Sequence, residues 1–277
     1  MSVLFDTPGP KAVRRHRILG VITVLVLAAI AVAVVLKLAA EDQFTSDKWE
    51  PFVTPSIINI LLEGLRNTVL AAVIAIAISI VAGLVFGVGK LSNHRAVRWP
   101  AWLVVEFFRA VPLLMLIYFI FSVWSENIGS LWSLIIGLAL YNGSVLAEVF
   151  RAGINAVPKG QAEAAYSLGM RKTQVVTIVQ LPQATRIMLP AIISQCIVAL
   201  KDTSLGFTIL APGLTYAGRE IWNTFHNKFA TALVLMAIYI VLNCLLSLLA
   251  SFAERRLSSS EGAATVEIVG GQVLTKA

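Results

Sequence analysis

The segment EAAYSLGMRKTQVVTIVQLP, residues 163–182, holds charged residues and a central glycine between two strongly apolar runs. Just before it, Pro158 suits the first position of a helix, where a missing N–H costs nothing, and residues 160–168 can continue that helix. Gly169 supplies the left-handed backbone that ends it, and residues 170–180 can form a second helix before Pro182. The spacing therefore predicts a helix, a turn and another helix. Ala164, Ala165 and Leu168 fall at i, i+1 and i+4, a narrow, small-sided face that can approach another surface closely. Physics alone leaves two readings open: a docking element for a partner protein, or a solvated loop that packs on its own bundle.

Working outward, the flanking runs decide the class. The chain has 277 residues, 58% hydrophobic and 13% charged, where soluble domains carry about 25% charged residues. That composition belongs to a membrane protein. A spanning helix needs about 20 mostly apolar residues to cross roughly 30 Å of hydrocarbon. Residues 18–36, 67–89, 127–147 and 229–253 satisfy this without a charge. Two further spans are interrupted: 101–124 by Glu106, Arg109 and Pro112, and 187–208 by Pro190, Lys201 and Asp202. The predicted fold is an all-α integral membrane protein of about six transmembrane helices.

Lysine and arginine set the orientation, because cytoplasmic loops carry their excess. With the N-terminus inside, most of the 22 basic residues fall on internal segments, while the first external loop sets Lys48 against Glu41, Asp42, Asp47 and Glu50. Both termini are expected in the cytoplasm. The net charge of +7 thus follows from topology and does not imply nucleic acid. Arg14-Arg15 before the first apolar run could pass for a secretory or twin-arginine signal, but that run exceeds the 7–15 residues of a signal core. A retained anchor is expected. Cys196 and Cys244 lack partners at metal-ligand spacing and read as buried thiols. Gly83 and Gly87 form a G-x-x-x-G packing face, and Gly87-Val88-Gly89-Lys90 lacks the spacing of a phosphate loop, so the chain itself binds no ATP.

The order of residues in the opening segment carries a resemblance. Glu163-Ala164-Ala165, then Gly169, then Val179 and Leu181-Pro182 resemble the EAA loop of ABC-importer permeases, with Val179 where isoleucine is usual. Residues 148–154, Lys159-Gly160-Gln161, Leu181-Pro182-Gln183-Ala184, Leu189-Pro190 and Lys201-Asp202-Thr203-Ser204-Leu205 resemble the polar amino acid permeases, a group that includes histidine and glutamine importers. So does Phe108-Arg109-Ala110-Val111-Pro112, although Ala110 and Val111 replace the usual Gly-Thr. The extra first helix, Lys48-Trp49-Glu50-Pro51-Phe52 and Tyr141-Asn142-Gly143-Ser144 are most similar to the larger glutamate permease subunit of actinobacteria.

The resemblance implies a division of the chain. Residues 1–17 would be a cytoplasmic N-terminus, 18–39 an additional transmembrane helix and 40–61 an external loop. Residues 62–253 would form the permease core, with a cytoplasmic coupling loop at 151–186, and 254–277 a disordered cytoplasmic tail. It also implies partners: a second permease subunit, two ATPase subunits that bind ATP and Mg, an extracellular binding protein and the bilayer of a bacterial plasma membrane. Gly160, Glu163, Ala164, Ala165, Gly169, Leu181 and Pro182 would couple the ATPase to the membrane helices. None of these would perform chemistry.

Substrate handling falls on polar groups at membrane depth, where charge is costly and faces a cavity or a partner. Lys201 is the main candidate, with Asn142, Ser144, Thr203 and Ser204 as neighbouring hydrogen-bonding groups. Lys201 could equally pair with an acid on the second permease. Glu106 and Arg109, three residues apart, read as a structural pair. A secondary transporter would favour matched broken helices in two halves, and a membrane enzyme would need paired acids or a histidine cluster. Neither pattern is present in the sequence.

Overall fold

In the computed structural model, residues 9–258, 267–269 and 272–274 are described. The helices are α1 (Pro10–Ala40), α2 (Ser46–Trp49), α3 (Pro55–Lys90), α4 (Arg95–Ala110), α5 (Leu113–Ala156), α6 (Lys159–Ser167), α7 (Lys172–Gln174), α8 (Leu181–Asp202), α9 (Leu214–Phe225) and α10 (Lys228–Ser258). Two short strands, β1 (Glu267–Val269) and β2 (Gln272–Leu274), pair antiparallel. The rest of the expected disordered tail lies outside the described residues. Among the described residues, five helical segments are long and apolar enough to cross a membrane: Lys11–Ala40, Pro55–Lys90, Leu113–Ala156, Lys172–Ile209 and Lys228–Phe252.

The bundle centres on α3 packed against α5. Gly64, Thr68, Ala71, Ala72, Ala75, Ser79, Gly83 and Gly87 form its buried stripe, while Val69, Val73, Ile78, Val81 and Val85 point outward. Small residues let backbones approach, and large apolar residues serve where lipid surrounds the helix. The expected packing role of the G-x-x-x-G is met: a Cβ on Gly83 would lie 2.7 Å from the Leu146 Cβ, and one on Gly87 2.7 Å from the Ala147 oxygen. Ser79 Oγ donates to the Ala75 oxygen at 2.7 Å and reaches the Ala139 oxygen at 3.3 Å.

Several expected boundaries shift. The span at 101–124 is two helices: the ring of Pro112 disfavours helical backbone at the preceding residue, and Val111 adopts φ −75°, ψ 128°. The 44-residue α5 would be about 66 Å long if straight, too long for one crossing. Gly129, at φ 74° and ψ 169°, divides it into two legs. The span expected at 127–147 straddles this break, and most of it lies in the second leg.

The helix that contains the expected core boundary at residue 62, α3, begins at Pro55, because Thr54 is extended and proline takes its first turn. The flanking helices α5 and α8 extend into the loop expected at 151–186. Arg151 still belongs to α5, where it donates to the Glu148 carboxylate one turn earlier. At the far end, Pro182 does not stop the second loop helix. A π-helical turn, Val175–Gln180, runs directly into α8, with Pro182 in the first turn of the latter. The π-turn absorbs the missing N–H and the ring's clash with the preceding carbonyl. The helix α1 stands apart: no residue in its most apolar window is buried, as befits a helix apolar on all sides.

Candidate functional site

The loop between α5 and α8 is built by local rules. Pro158 is the N-cap of α6, one position earlier than expected, with extended ψ of 131°. At the other end Gly169 takes φ 76°. Its N–H donates to the Tyr166 oxygen at 2.9 Å, and Met170 N–H donates to the Ala165 oxygen at 3.2 Å. This pair of bonds is the Schellman closure, which requires the left-handed residue. The turn expected at Gly169 therefore has the expected backbone.

The face expected at Ala164, Ala165 and Leu168 is split. Ala165 is 4% exposed and belongs to the interior, whereas Leu168 is 82% exposed; Glu163, Ala164 and Gly169 are exposed with it. The reason is packing: α6 lies against the π-turn, whose Val175 and Val176 are buried, and Ala165 is the side chain that lies innermost. Gly160 faces open space, Leu181 is half-buried and Pro182 is exposed. Lys172 Nζ anchors the loop to the end of α3, donating to the Leu91 oxygen at 2.7 Å and to Asn93 Oδ1.

The membrane candidates do not form one cluster. Asn142 is 1% exposed; its Nδ2 donates to the Leu138 oxygen at 2.8 Å, and its Oδ1 accepts from Gln195 Nε2 at 2.6 Å. Ser144 is buried and donates to the Tyr141 oxygen at 2.6 Å, and Thr203 is buried and donates to the Leu200 oxygen at 2.7 Å. These three side chains satisfy their hydrogen bonds inside the chain. Lys201, by contrast, is exposed at the end of α8, and Ser204 is half-buried just beyond it. Among the described residues neither Lys201 nor Asp202 forms an ion pair.

Sequence reasoning missed Gln195 and the larger network around Glu106. Arg109 does approach Glu106, at 3.6 Å, but Lys90 Nζ lies nearer, 3.0 Å from Glu106 and 2.8 Å from Glu148. Glu148 also accepts from Arg151. One buried lysine thus ties α3 to both α4 and α5, beside the loop anchored by Lys172. Glu148 and Lys90 stand 58 positions apart, so no helical spacing could have paired them.

Residues 75–259 match the family described as "binding-protein-dependent transport system inner membrane component". The chain is 38% identical over 227 residues to the glutamate transport system permease protein GluD of Corynebacterium glutamicum, covering 79% of this chain and 83% of the relative. It is 31% identical over 207 residues to the glutamate/aspartate import permease protein GltK of Escherichia coli, covering 71% of this chain and 92% of the relative. A solved amino acid ABC transporter with histidines superposes with a TM-score of 0.68 at 31% identity, covering 72% of this chain and 94% of that one. The MetNI methionine transporter, inward-facing, superposes at 0.66 and 19% identity, over 74% of this chain and 99% of that one. At that identity the likeness concerns the fold.

Proposed function

Because the chain belongs to the family of binding-protein-dependent transport system inner membrane components, it is a multi-pass permease subunit of an ABC amino acid importer, and we propose that it imports glutamate or a closely related polar amino acid. The observation that carries the coupling part of this reading is mechanical. Exposed Glu163, Ala164 and Leu168 ride on a helix whose Ala165 packs on the π-turn, and that turn continues without a break into α8 and Lys201. A push on α6 therefore reaches the membrane interior through packed side chains and one helical backbone, and packed interiors transmit strain.

In this reading both termini are cytoplasmic. The chain pairs with a different permease subunit, and each permease docks its loop on one of two ATPase subunits. Those subunits bind ATP and Mg and perform the hydrolysis; this chain supplies no catalytic group. An extracellular binding protein delivers the substrate. Glu163, Ala164 and Leu168 make the contact, Ala165 and Gly169 hold its shape, and Leu181 and Pro182 pass the motion into α8. Lys201 presents a cation to the substrate's α-carboxylate, a group common to all amino acids, so side-chain selectivity rests more on the binding protein. An ion-gradient transporter working alone has no use for the docking helix, and the family match is to binding-protein-dependent systems.

Two substitutions test the two halves of the proposal. Glu163→Lys reverses the charge on the exposed face of α6, and the ATPase subunits should then co-purify poorly with the permease pair. Wild-type recovery of ATPase together with wild-type uptake would remove α6 from the coupling role. Lys201→Met keeps much of the length without the charge; the complex should assemble and hydrolyse ATP yet import glutamate poorly. Dissociation of the permease pair would instead assign Lys201 to the subunit interface, and undiminished import at low substrate would eliminate it as a binding residue.

A further inference from the structure

The network around Lys90 borders a cavity of 330 Å³ lined by the cations Lys90, Arg98 and Arg151, the carboxylates Glu106 and Glu148, and the rings of Trp99 and Trp102. We propose that this cavity binds the phosphate-bearing headgroup of an anionic phospholipid. Charge, aromatic placement and position in the bundle all support it. The inference is independent of which amino acid the importer carries.

The charge count leaves a surplus. Lys90 is shared between Glu106 and Glu148, Arg109 approaches Glu106, and Arg151 pairs with Glu148. Those three cations already exceed the two carboxylates. Arg98 adds a fourth, exposed and without an ion pair among the described residues. An anion entering beside Arg98 neutralises charge that the protein leaves uncompensated.

The aromatic pair specifies an amphiphile over a simple ion. Trp99 and Trp102 are 65% and 46% exposed, with ring centroids 6.4 Å apart and planes tilted by 39°. Tryptophan concentrates at membrane–water boundaries because its ring is apolar and its N–H is not. Along α4, positions 95, 98, 99, 102, 106 and 109 recur at intervals of one, three and four, so Arg95, Arg98, both tryptophans, Glu106 and Arg109 share one face. That face meets Lys90, the last residue of α3. At 1.5 Å per residue, the 36 residues of α3 outrun a hydrocarbon core of about 30 Å, which brings this end to headgroup level. Basic pockets between transmembrane helices at that level suit anionic headgroups.

The test uses the full chain purified with its partner subunits in mild detergent. Quenching of tryptophan fluorescence by brominated phosphatidylglycerol is compared with quenching by brominated phosphatidylcholine, and the share from the pair is isolated by repeating it with Trp99→Phe/Trp102→Phe. The wild type should prefer the anionic lipid about fivefold, the effect expected of one arginine near a charged headgroup. Arg98→Gln should bring the two lipids to near equality, and Arg98→Lys should restore most of the preference. Arg171→Gln, an exposed cation of the loop outside the cavity, should change nothing. Equal quenching in the wild type, an equal loss in Arg171→Gln, or a preference retained by Arg98→Gln would each overturn the proposal. So would complete displacement of the brominated lipid by inorganic phosphate or by glutamate, which would reassign the cavity to a free anion. Because the Arg98 side chain is exposed and unpaired, its replacement leaves the packed network intact.

Discussion

Replacing Gly169 separates backbone conformation from every other property of the proposed coupling loop. A Cβ built at this position meets nothing within 4 Å, so a substitution introduces no collision within the chain. What remains is the left-handed φ of 76°, which costs an ordinary L-residue about 1–2 kcal/mol and asparagine less. That cost bears on the Schellman closure alone, since Gly169 and Met170 reach Tyr166 and Ala165 only with this backbone. A loss of about 1–2 kcal/mol lowers the ratio of closed to open turn by about 5–30-fold. Transport should fall in the order Gly, Asn, Ala, Val, with the β-branched side chain worst in the left-handed region. The assay is initial uptake of labelled glutamate into vesicles containing the assembled complex, ATP and the loaded binding protein, normalised to complex recovered. Wild-type uptake by Gly169→Val would refute the reasoning. An asparagine variant as inactive as valine would also refute it, because bulk against the docked partner would then outweigh φ.

Two further outcomes follow from the geometry. Gln195→Leu strips the buried Asn142 Oδ1 of its donor, a loss of about 1–3 kcal/mol, and should lower the melting temperature by roughly 2–10 °C; an unchanged melting curve would show that the contact between α5 and α8 does not depend on this bond. For topology, Ser46→Cys and Thr173→Cys in a background lacking Cys196 and Cys244 should react with an impermeant thiol reagent from outside and inside respectively. Labelling of Thr173→Cys on intact cells would reverse the orientation argued from the basic residues.

The apolar segments, the turn at Gly169 and the G-x-x-x-G face of α3 were all legible in the one-dimensional sequence. The reason is that each depends on neighbours within one helical turn or on the thickness of the bilayer, both of which a linear pattern records. The helix and turn within residues 163–182 were legible for the same reason, since a short helix and its closure are local objects. A proline in a helical run was harder to read. Pro112 and Pro182 have the same ring, yet Val111 before the first is extended and Leu181 before the second is helical.

Tertiary structure alone decided which face of α6 is free, turning Ala165 inward and leaving Leu168 outside. It also decided that Asn142 is held by Gln195, 53 positions away, and that Lys90 sits between Glu106 and Glu148, 16 and 58 positions away. Such pairs carry no periodic signal. Their existence depends on how α3, α4, α5 and α8 pack, and a buried lysine must take whichever carboxylates that packing brings within reach, because an unpaired charge there costs several kcal/mol (~3–5). The sequence by itself determined that this chain is a helical membrane protein with a helix-turn-helix segment between two apolar runs; the assembled bundle decided which of its polar residues are spent on holding it together and which stay exposed.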